Sequence, residues 1–302
     1  MKKFKTPLRY PGGKSRATKI LLEYVPVNYD YYVEPFIGGG SMAIALTKIR
    51  PNLKVTINDL YYPVYAFWTA LRDVGPQMQQ HLFKIKTDLS AYDNEEDVLK
   101  AHKDAFNKAK ERLKENEDIY HTAINFYICN KCSFSGLSEN SSFSKQASQS
   151  NFSINGINSL LWYSQAIRTW NIKNEDYSQV INPDAFNFLD PPYSIKDNLY
   201  GSKGSLHKTF SHTKLASLCD AFEGNMMITY NASKDIEELY PKFSKLKWDL
   251  TYTMRSTQSY GADQDKRKEL LLVNYTINNS TCLLYTSPSP RDATLSRMPS
   301  SA

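Results

Sequence analysis

The feature that most constrains the fold is a run of three glycines, 38–40, between a strand-like segment and a helix-like segment. Tyr31 to Glu34 has the composition of a short strand, and Ser41 is predicted to cap a helix over Met42 to Ile49. A second strand is predicted at Lys54 to Ile57. A strand, a loop, a helix and a strand in this order predict a parallel sheet, so the expected fold class is α/β.

The glycine run also has the features of a ligand-binding bend. Because glycines lack side chains, the backbone N–H groups and the helix N-terminus at such a bend can approach a ligand closely. Asp59 follows Gly40 by about twenty residues, at the end of the next predicted strand, where a carboxylate meets ribose hydroxyls in dinucleotide-binding folds. Together the bend and the acid favour an adenosine-containing cofactor. The alternatives are a tight turn without a ligand and a turn-forming role for Asp59.

Four residues at the end of a later apolar run carry the strongest chemical signal. Ala185 to Leu189 is a predicted strand, and Asp190, Pro191, Pro192 and Tyr193 follow it directly. An exocyclic amine on a nucleobase is a poor nucleophile, because its lone pair is conjugated into the ring. A carboxylate and a backbone carbonyl that accept both of its N–H bonds favour the reactive, pyramidal form, and a tyrosine face can hold the base. This tetrad therefore indicates methylation of a nucleobase amine, with an ordinary turn after a strand as the alternative.

The middle of the chain is predicted to be a helical insertion at roughly residues 62–170. From Tyr61 to about Glu117, Pro and Gly are sparse, and Val98 to Leu113 has an amphipathic helical pattern. Ser133 to Asn158 is rich in Ser, Asn, Phe and Gly, which indicates a long loop or a poorly regular lobe.

Strand patterns return after the insertion, at Ala185–Leu189, Asn225–Tyr230, Leu246–Met254 and Glu269–Tyr275. The last two are predicted to form an antiparallel hairpin. Cys282 to Ala302 is rich in Ser and Pro and resembles translated vector sequence. Residues 280–302 are therefore predicted to be a disordered or artefactual tail.

Composition favours a globular protein with a mild preference for polyanions. The 302 residues are 41% hydrophobic and 23% charged, and the net charge of +6 includes seven Lys and Arg among the first nineteen residues. A solvated basic face explains the same charges equally well. Four irregularly spaced cysteines favour a reducing compartment, and no segment approaches the roughly 18 apolar residues that span a bilayer. The expected location is the cytosol.

Two other segments resemble known binding motifs, but each lacks a residue that its motif requires at a fixed spacing. Pro11 to Ser15 is similar to the end of a phosphate-binding P-loop, but Leu8 stands where that loop needs glycine, six positions before Lys14. Cys129 and Cys132 have the spacing of half a zinc site, but no second close pair of Cys or His follows. Neither nucleotide hydrolysis nor a metal site is expected.

Taken together, the motifs resemble those of the Dam-type DNA adenine-N6 methyltransferases, an alpha-ordered class that uses S-adenosylmethionine. The matching motifs are the N-terminal motif Leu8–Lys14, the cofactor loop Glu34–Ser41, the ribose-binding pair Asn58–Asp59, the tetrad Asp190–Tyr193 and the closing strand Lys266–Tyr275. Asn130 to Leu137 resembles the end of the family's target-recognition insert, although Cys132 and Ser133 replace more usual residues. The resemblance covers nearly the whole chain, to about residue 278.

The resemblance implies a Rossmann-like methyltransferase sheet, mostly parallel with an antiparallel C-terminal hairpin. Residues 1–61 and 171–279 would form the catalytic domain that binds S-adenosylmethionine, and residues 62–170 the helical insertion that recognises double-stranded DNA. The implied reaction is methyl transfer to N6 of adenine by base flipping, with GATC as the suggested target. A monomer without metal is expected.

The resemblance also implies three groups of site residues. The catalytic group is Asp190, Pro191, Pro192 and Tyr193, with Tyr193 stacked on the extruded adenine and with Asp190 and the Pro191 carbonyl accepting bonds from its amino group. The cofactor-binding group is Tyr10, Lys14, Phe36, Gly38, Gly40, Asp59 and Asp190. The DNA-binding group is Lys131, Lys145, Lys266 and Arg267, each of which is equally compatible with a solvated surface charge.

Several functional alternatives stay open at this point. The closest is a methyltransferase for cytosine N4 or for a protein amide, because Asp at the first tetrad position favours adenine only by family habit. A catalytically silent DNA-binding homologue is an alternative of another class. A restriction–modification system, a virus and a solitary enzyme all remain possible settings.

Overall fold

The computed structural model of the chain describes residues 5–10, 12–115, 118–134, 136, 141–193, 210–249 and 268–277. In these residues one sheet contains seven strands: β1 (Tyr31–Glu34), β2 (Lys54–Asn58), β3 (Asn171–Lys173), β4 (Phe186–Leu189), β5 (Asn225–Asn231), β6 (Ser244–Asp249) and β7 (Lys268–Val273). The same residues contain nine α-helices: α1 (Thr18–Leu22), α2 (Ser41–Ile49), α3 (Tyr62–Leu89), α4 (Glu95–Arg112), α5 (Ile119–Cys132), α6 (Lys145–Ser150), α7 (Ile154–Ala166), α8 (His212–Asp220) and α9 (Lys234–Leu239). Short 3-10 helices lie at Lys14–Arg16 and Tyr177–Gln179.

The sheet is parallel over five strands and antiparallel at one end. The strand order is β3-β2-β1-β4-β5-β7-β6, and β7 runs antiparallel to both β5 and β6. This confirms the predicted α/β fold, with its mostly parallel Rossmann-like sheet and its antiparallel C-terminal hairpin. β1 lies between β2 and β4 and is parallel to both. Because the chain order reverses at β1 and β4, a crevice is expected beyond their carboxyl ends.

The strand predictions are confirmed in place, with shifted ends. The predicted strand Leu246–Met254 begins earlier, since β6 is Ser244–Asp249, and residues 250–254 lie outside the described part of the chain. β3 is a strand that the sequence pattern does not reveal, because its three residues are too few to display a period. β4 is buried at all four positions, as expected for a strand covered on both faces.

Between β2 and β3 the described residues form the five helices α3 to α7, as the composition of residues 62–170 predicts. The predicted irregular lobe over Ser133 to Asn158 is wrong in part, because α6 and the start of α7 lie within it. Ser144 and Ser153 cap these helices by accepting hydrogen bonds from backbone N–H groups three residues further on. The serines therefore mark helix starts in a segment whose composition resembles a loop.

The helices between β2 and β3 share a hydrophobic core with the sheet. One cluster of buried side chains contains Tyr32 of β1, Ile44 of α2, Trp68 of α3 and Tyr127 of α5. The indole N–H of Trp68 also donates to the carbonyl of Gly38, at 3.0 Å. The long helix α3 therefore supports the glycine bend directly.

The proposed division into a catalytic domain and an insertion stays a prediction. The predicted tail, residues 280–302, lies outside the described residues, as do Pro11, Lys266 and Arg267. No α-helix of the described part combines the length and the apolar character needed to cross a membrane.

Candidate active site

The glycine bend and the tetrad meet at one edge of the sheet. The bend follows β1 and the tetrad follows β4, and these strands are parallel neighbours with Tyr32 opposite Phe186 and Val33 opposite Asn187. The carboxyl ends of both strands therefore lie side by side. Residues of the bend and of the tetrad line a single cavity at this position.

All the residues predicted for catalysis and for cofactor binding line this cavity. They are Tyr10, Lys14, Phe36, Gly38, Gly40, Asp59, Asp190, Pro191, Pro192 and Tyr193. The cavity is also lined by aromatic residues that the sequence did not single out, Tyr177 and Phe210. Both rings pack against Phe36, with centroids 5.4 and 5.7 Å away, so one wall is aromatic.

The glycine bend requires glycine because aromatic rings pack against its backbone. Gly38 and Gly40 have φ values of 42° and 70°, in the left-handed region. A Cβ at Gly38 would lie 2.6 Å from the ring of Tyr10, and one at Gly40 would lie 2.6 Å from the ring of Trp68. Gly40 occupies the N-cap position of α2, so the prediction that Ser41 is the cap is wrong. The left-handed glycine turns the chain into the helix without a side-chain cap.

Glu34, the last residue of β1, holds the start of α2. Its Oε2 accepts hydrogen bonds from the Ala43 N–H at 3.0 Å and from the Tyr32 hydroxyl at 2.7 Å. Burial raises the pKa of Glu34 to about 8, and these two hydrogen bonds oppose the rise. The sequence motif included this acid but gave it no role. The signal for it is an ionisable residue at the buried end of a strand.

Asp59 joins the end of β2 to the glycine bend. Its Oδ2 accepts from the Gly38 N–H and its Oδ1 from the Tyr61 N–H, both at 3.0 Å. Burial raises the pKa of Asp59 to about 6, against the effect of these two bonds. The acid and the bend are therefore adjacent, as an adenosine-binding site requires.

Two donors and a nearby phenol converge on one oxygen of Asp190. Lys14 Nζ lies 2.6 Å from Oδ1, the Thr229 hydroxyl donates to it at 2.7 Å, and the Tyr193 hydroxyl lies 3.3 Å away. Within the part of the chain that the structure describes, no hydrogen-bond donor reaches Oδ2 of Asp190. The carboxylate is therefore fixed through one oxygen and presents the other.

Both the ring and the hydroxyl of Tyr193 make contacts that fix the side chain. The hydroxyl donates to Oε2 of Glu269 at 2.9 Å, and Lys14 Nζ lies 4.6 Å from the ring centroid. The side chain is only 5% exposed. The implied stacking of a base on this ring therefore requires that Lys14 or the ring moves. Sequence reasoning did not give Glu269 a role, although an acid directly before three leucines, 270–272, is an unusual pattern for a buried strand.

The segment that carries Tyr10 and Lys14 is fastened to α5. Asn130 accepts from the Arg9 N–H at 3.0 Å and donates to the Arg9 carbonyl at 2.6 Å. The Arg9 guanidinium donates to the carbonyl of Ser133 at 2.8 Å. The helical part of the molecule therefore holds one wall of the cavity in place.

The residues predicted to bind DNA are not gathered at the cavity. Lys131 lies on α5, only 8% exposed, with its Nζ 5.2 Å from the ring centroid of Tyr127. Burial lowers its pKa to about 8, assisted by the charge of Arg9. Lys145 is exposed at the first turn of α6. Lys266 and Arg267 lie outside the described residues, and the DNA contacts of all four lysine and arginine residues stay predictions.

The two cysteines with half-zinc spacing lie on α5, among the helices between β2 and β3. Cys129 and Cys132 are buried on α5, and burial raises the pKa of Cys132 to about 12. Among the described residues no group of three or more metal-binding side chains is present.

Residues 10–254 match the sequence model of the D12 class N6 adenine-specific DNA methyltransferases, which is most of the chain. The chain belongs to this family. The match extends over the bend, the helices between β2 and β3, and the tetrad. It confirms the resemblance on which the site residues were chosen.

Two proteins named as type II methyltransferases and one named as a modification methylase are similar to this chain along most of its length. M.FokI of Planomicrobium okeanokoites is 23% identical over 290 residues, which cover 90% of this chain and 43% of that relative. M.CviBI of Paramecium bursaria Chlorella virus NC1A is 23% identical over 278 residues, which cover 89% of this chain and 98% of that relative. The modification methylase StsI of Streptococcus sanguinis is 24% identical over 301 residues, covering 91% of this chain and 43% of StsI. The chain thus spans less than half of two of these relatives and nearly all of the third.

Proposed function

We propose that this methyltransferase transfers a methyl group from S-adenosylmethionine to N6 of adenine in double-stranded DNA, after the adenine is flipped out of the duplex. The observation that carries the proposal is the convergence of Asp190 and the glycine bend on one cavity, beyond the carboxyl ends of β1 and β4. Membership of the family supports adenine and DNA as the substrate.

The cavity suits an adenosine-containing cofactor. It combines an aromatic wall at Phe36 with a bare backbone at Gly38 and a carboxylate at Asp59, and ligand pockets are typically apolar with a few fixed polar groups. Phe36 would contact the cofactor, and Asp59 would accept hydrogen bonds from its ribose hydroxyls. S-adenosylmethionine, when bound, supplies an electrophilic methyl group on a positively charged sulfur.

Asp190 would orient the amino group of the target adenine. Because Oδ1 already receives Lys14 and Thr229, the other oxygen is the one that we assign to the amino group. The Pro191 carbonyl would accept the second N–H bond. Both acceptors stabilise the positive charge that develops on nitrogen as the S–CH3 bond breaks and the N–CH3 bond forms, so Asp190 acts by orientation and electrostatics rather than as a strong base. The methylated nitrogen would then release its surplus proton to solvent, with S-adenosylhomocysteine as the second product. Holding the amine at a near-attack distance supplies much of the rate.

The target adenine must leave the duplex before it reaches Asp190. Unstacking and unpairing cost a few kcal/mol, and stacking on Tyr193 would return roughly 1–3 kcal/mol. The Lys14 ammonium now lies over that ring, so we propose that it moves aside when the base enters. Adenine binding and the movement of the Lys14 ammonium off the Tyr193 ring would then occur together.

Phosphate contacts would position the DNA without specifying its sequence. We assign them to Lys145, Lys266 and Arg267, with Lys131 as the weakest candidate because it is buried. GATC is proposed as the target from the resemblance alone, and digestion of methylated DNA with methylation-sensitive nucleases tests it. The names of the relatives support a role in restriction–modification, which we propose for a monomeric enzyme.

The test of this proposal is the variant Asp190→Ala, with Asp184→Ala as the control, since Asp184 is exposed two residues before β4. We expect Asp190→Ala to lose transfer of labelled methyl groups to DNA while calorimetry still detects binding of S-adenosylmethionine. Asp184→Ala should behave like the wild type. Wild-type turnover by Asp190→Ala would remove the catalytic assignment. A wild-type protein that binds DNA but transfers no methyl group would instead be a silent homologue.

A further inference from the structure

A second carboxylate lies beside the tetrad, on a strand that is otherwise apolar. Glu269 of β7 is 1% exposed, and the three leucines that follow it, 270–272, are fully buried. A charged side chain in such a place is strongly unfavourable unless it is paired and hydrogen-bonded. Its partners therefore indicate why an acid is present at this position.

The partners of Glu269 include two of the three side chains that contact Asp190. Its Oε2 accepts the hydrogen bond of the Tyr193 hydroxyl at 2.9 Å, and Lys14 Nζ lies 4.0 Å from the same oxygen. Lys14 and Tyr193 also contact Asp190, at 2.6 and 3.3 Å. Glu269 and Asp190 thus share two neighbours.

The sheet fixes this arrangement. Glu269 lies opposite Asn231 in the antiparallel pair of β5 and β7, and Thr229 lies two residues before Asn231 on the same face. Thr229 donates to Asp190 at 2.7 Å. The same strand pair therefore orients the catalytic acid through Thr229 and places Glu269 next to it.

The charges show what Glu269 adds. In their ionised forms the charges of Lys14 and Asp190 cancel, so Lys14 weakens the attraction of the carboxylate for the substrate amine. During methyl transfer the amino nitrogen gains the positive charge that the sulfur of the methyl donor loses, and negative charge close to the nitrogen stabilises this redistribution. In its ionised form Glu269 adds a negative charge to this cluster, and its Oε2 offers the Lys14 ammonium a second acceptor at 4.0 Å.

We propose that Glu269 is a positioning residue for the methyl transfer. It holds the phenol of Tyr193 by its hydrogen bond and draws the Lys14 ammonium from Asp190 when the amino group arrives. It acts through these two side chains and does not contact the adenine. The inference rests on the proposed function, because it assigns Asp190 and Tyr193 to the reacting amine.

The first test compares Glu269→Gln with Glu238→Gln, which removes an exposed carboxylate from α9. Glutamine keeps the size and one oxygen acceptor but removes the charge. We expect the single-turnover rate of Glu269→Gln to fall about 10- to 100-fold, the range produced by small misplacements of reacting groups. The dissociation constant of S-adenosylmethionine should stay within about twofold of the wild type, because the change acts on the reacting geometry rather than on uniform binding. Glu238→Gln should keep both values.

The second test separates positioning from a general loss of structure. If Glu269 acts through Tyr193, combining Glu269→Gln with Tyr193→Phe will cost less than the product of the two single losses. Independent, multiplied losses would contradict the inference. If Glu269→Gln does not fold, Tyr193→Phe decides, because it removes the same hydrogen bond, and a wild-type rate in it would overturn the proposal.

The outcomes for Glu269 and for the proposed function are distinguishable. A wild-type rate in Glu269→Gln together with an inactive Asp190→Ala overturns the role of Glu269 and leaves the proposed function intact. An active Asp190→Ala overturns the proposed function itself.

Discussion

The carboxyl edge of the sheet and the helices between β2 and β3 both bury lysines, but in different surroundings. At the sheet edge Lys14 is 3% exposed and its ammonium lies 2.6 Å from Asp190. On α5, Lys131 is 8% exposed and its ammonium lies 5.2 Å from the ring centroid of Tyr127. Burial lowers the pKa of Lys131 to about 8. The ammonium of Lys14 is thus paired with a carboxylate in the cavity. The ammonium of Lys131 contributes to the interior of the helical part.

The difference predicts how the proposed function is divided between the two regions. At the sheet edge, the ends of β1, β2 and β4 bring ionisable side chains together from distant parts of the sequence, and hydrogen bonds fix them. In the helical part, a residue can contact DNA phosphates only if it is exposed, so the proposed contacts fall on surface lysines such as Lys145. Substitutions at the sheet edge should therefore alter cofactor affinity and the rate of methyl transfer. Substitutions at the surface of the helices should instead alter how strongly the DNA affinity depends on salt.

The largest expected effect is at the glycine bend. In Gly40→Ala the side chain would enter the left-handed region, at about 1–2 kcal/mol, and overpack against Trp68, at about 1–3 kcal/mol more. We expect binding of S-adenosylmethionine to weaken more than about tenfold in calorimetry. The matched variant in the helical part is Gly156→Ala, where the nearest atom is a serine hydroxyl at 3.2 Å, and its affinity should change little. Equal affinities in the two variants would contradict the comparison.

The next effect is at Asp59. We expect Asp59→Ala to weaken binding of S-adenosylmethionine by roughly 1–3 kcal/mol, the cost of losing a charged hydrogen-bond partner. The control is Asp73→Ala, which removes an exposed acid from α3. Because the pKa of Asp59 is about 6, affinity for the cofactor should also fall as the pH drops below 6 in the wild type. Unchanged affinity in Asp59→Ala, measured by calorimetry, would rule out the ribose contact.

A third effect concerns stability rather than binding. Since the pKa of Glu34 is about 8 in the folded chain and 4.5 ordinarily, the folded state binds an extra proton between these pH values. The free energy of unfolding should therefore fall as the pH rises through this range, by about 1.4 kcal/mol per pH unit below 7. Thermal unfolding from pH 6 to pH 9 should show a steeper decline for the wild type than for Glu34→Gln. Parallel curves would mean that Glu34 is already ionised at neutral pH.

The smallest effect separates Lys145 from Lys131, the two lysines of the helical part that were predicted to bind DNA. Lys145→Ala should reduce the dependence of DNA affinity on salt by about one unit of slope, as expected for one lost phosphate contact. Lys131→Met should leave that slope unchanged, because its ammonium is buried. The slope is obtained from DNA-binding isotherms recorded at several salt concentrations. The reverse pattern would show that α5 opens when DNA binds.

The sequence predicts the cavity well because its main parts lie at the ends of strands. The bend after Glu34, Asp59 after β2 and Asp190 after β4 are each local patterns, and parallel strands bring their carboxyl ends to one edge. Glu269 could not be placed in the same way. Its contact with Tyr193 depends on β7 entering the sheet between β5 and β6, which chain order does not reveal.

The helical part is less predictable for a physical reason. α6 and α7 begin at the caps Ser144 and Ser153, and the Ser- and Asn-rich composition of this segment is also typical of loops. Ser41 shows the opposite error, since a serine in front of an apolar run is not the cap when a left-handed Gly40 precedes it. The position of a helix start here depends on the backbone conformation in front of the helix, which composition does not reveal.

The most direct test of the account is the chemical identity of the product. Purified protein incubated with S-adenosylmethionine and duplex DNA, followed by digestion to nucleosides and mass spectrometry, identifies the methylated atom. The account predicts N6-methyladenine in the wild-type reaction and none with Asp190→Ala. Methylation of cytosine N4, or N6-methyladenine at wild-type levels from Asp190→Ala, would contradict it.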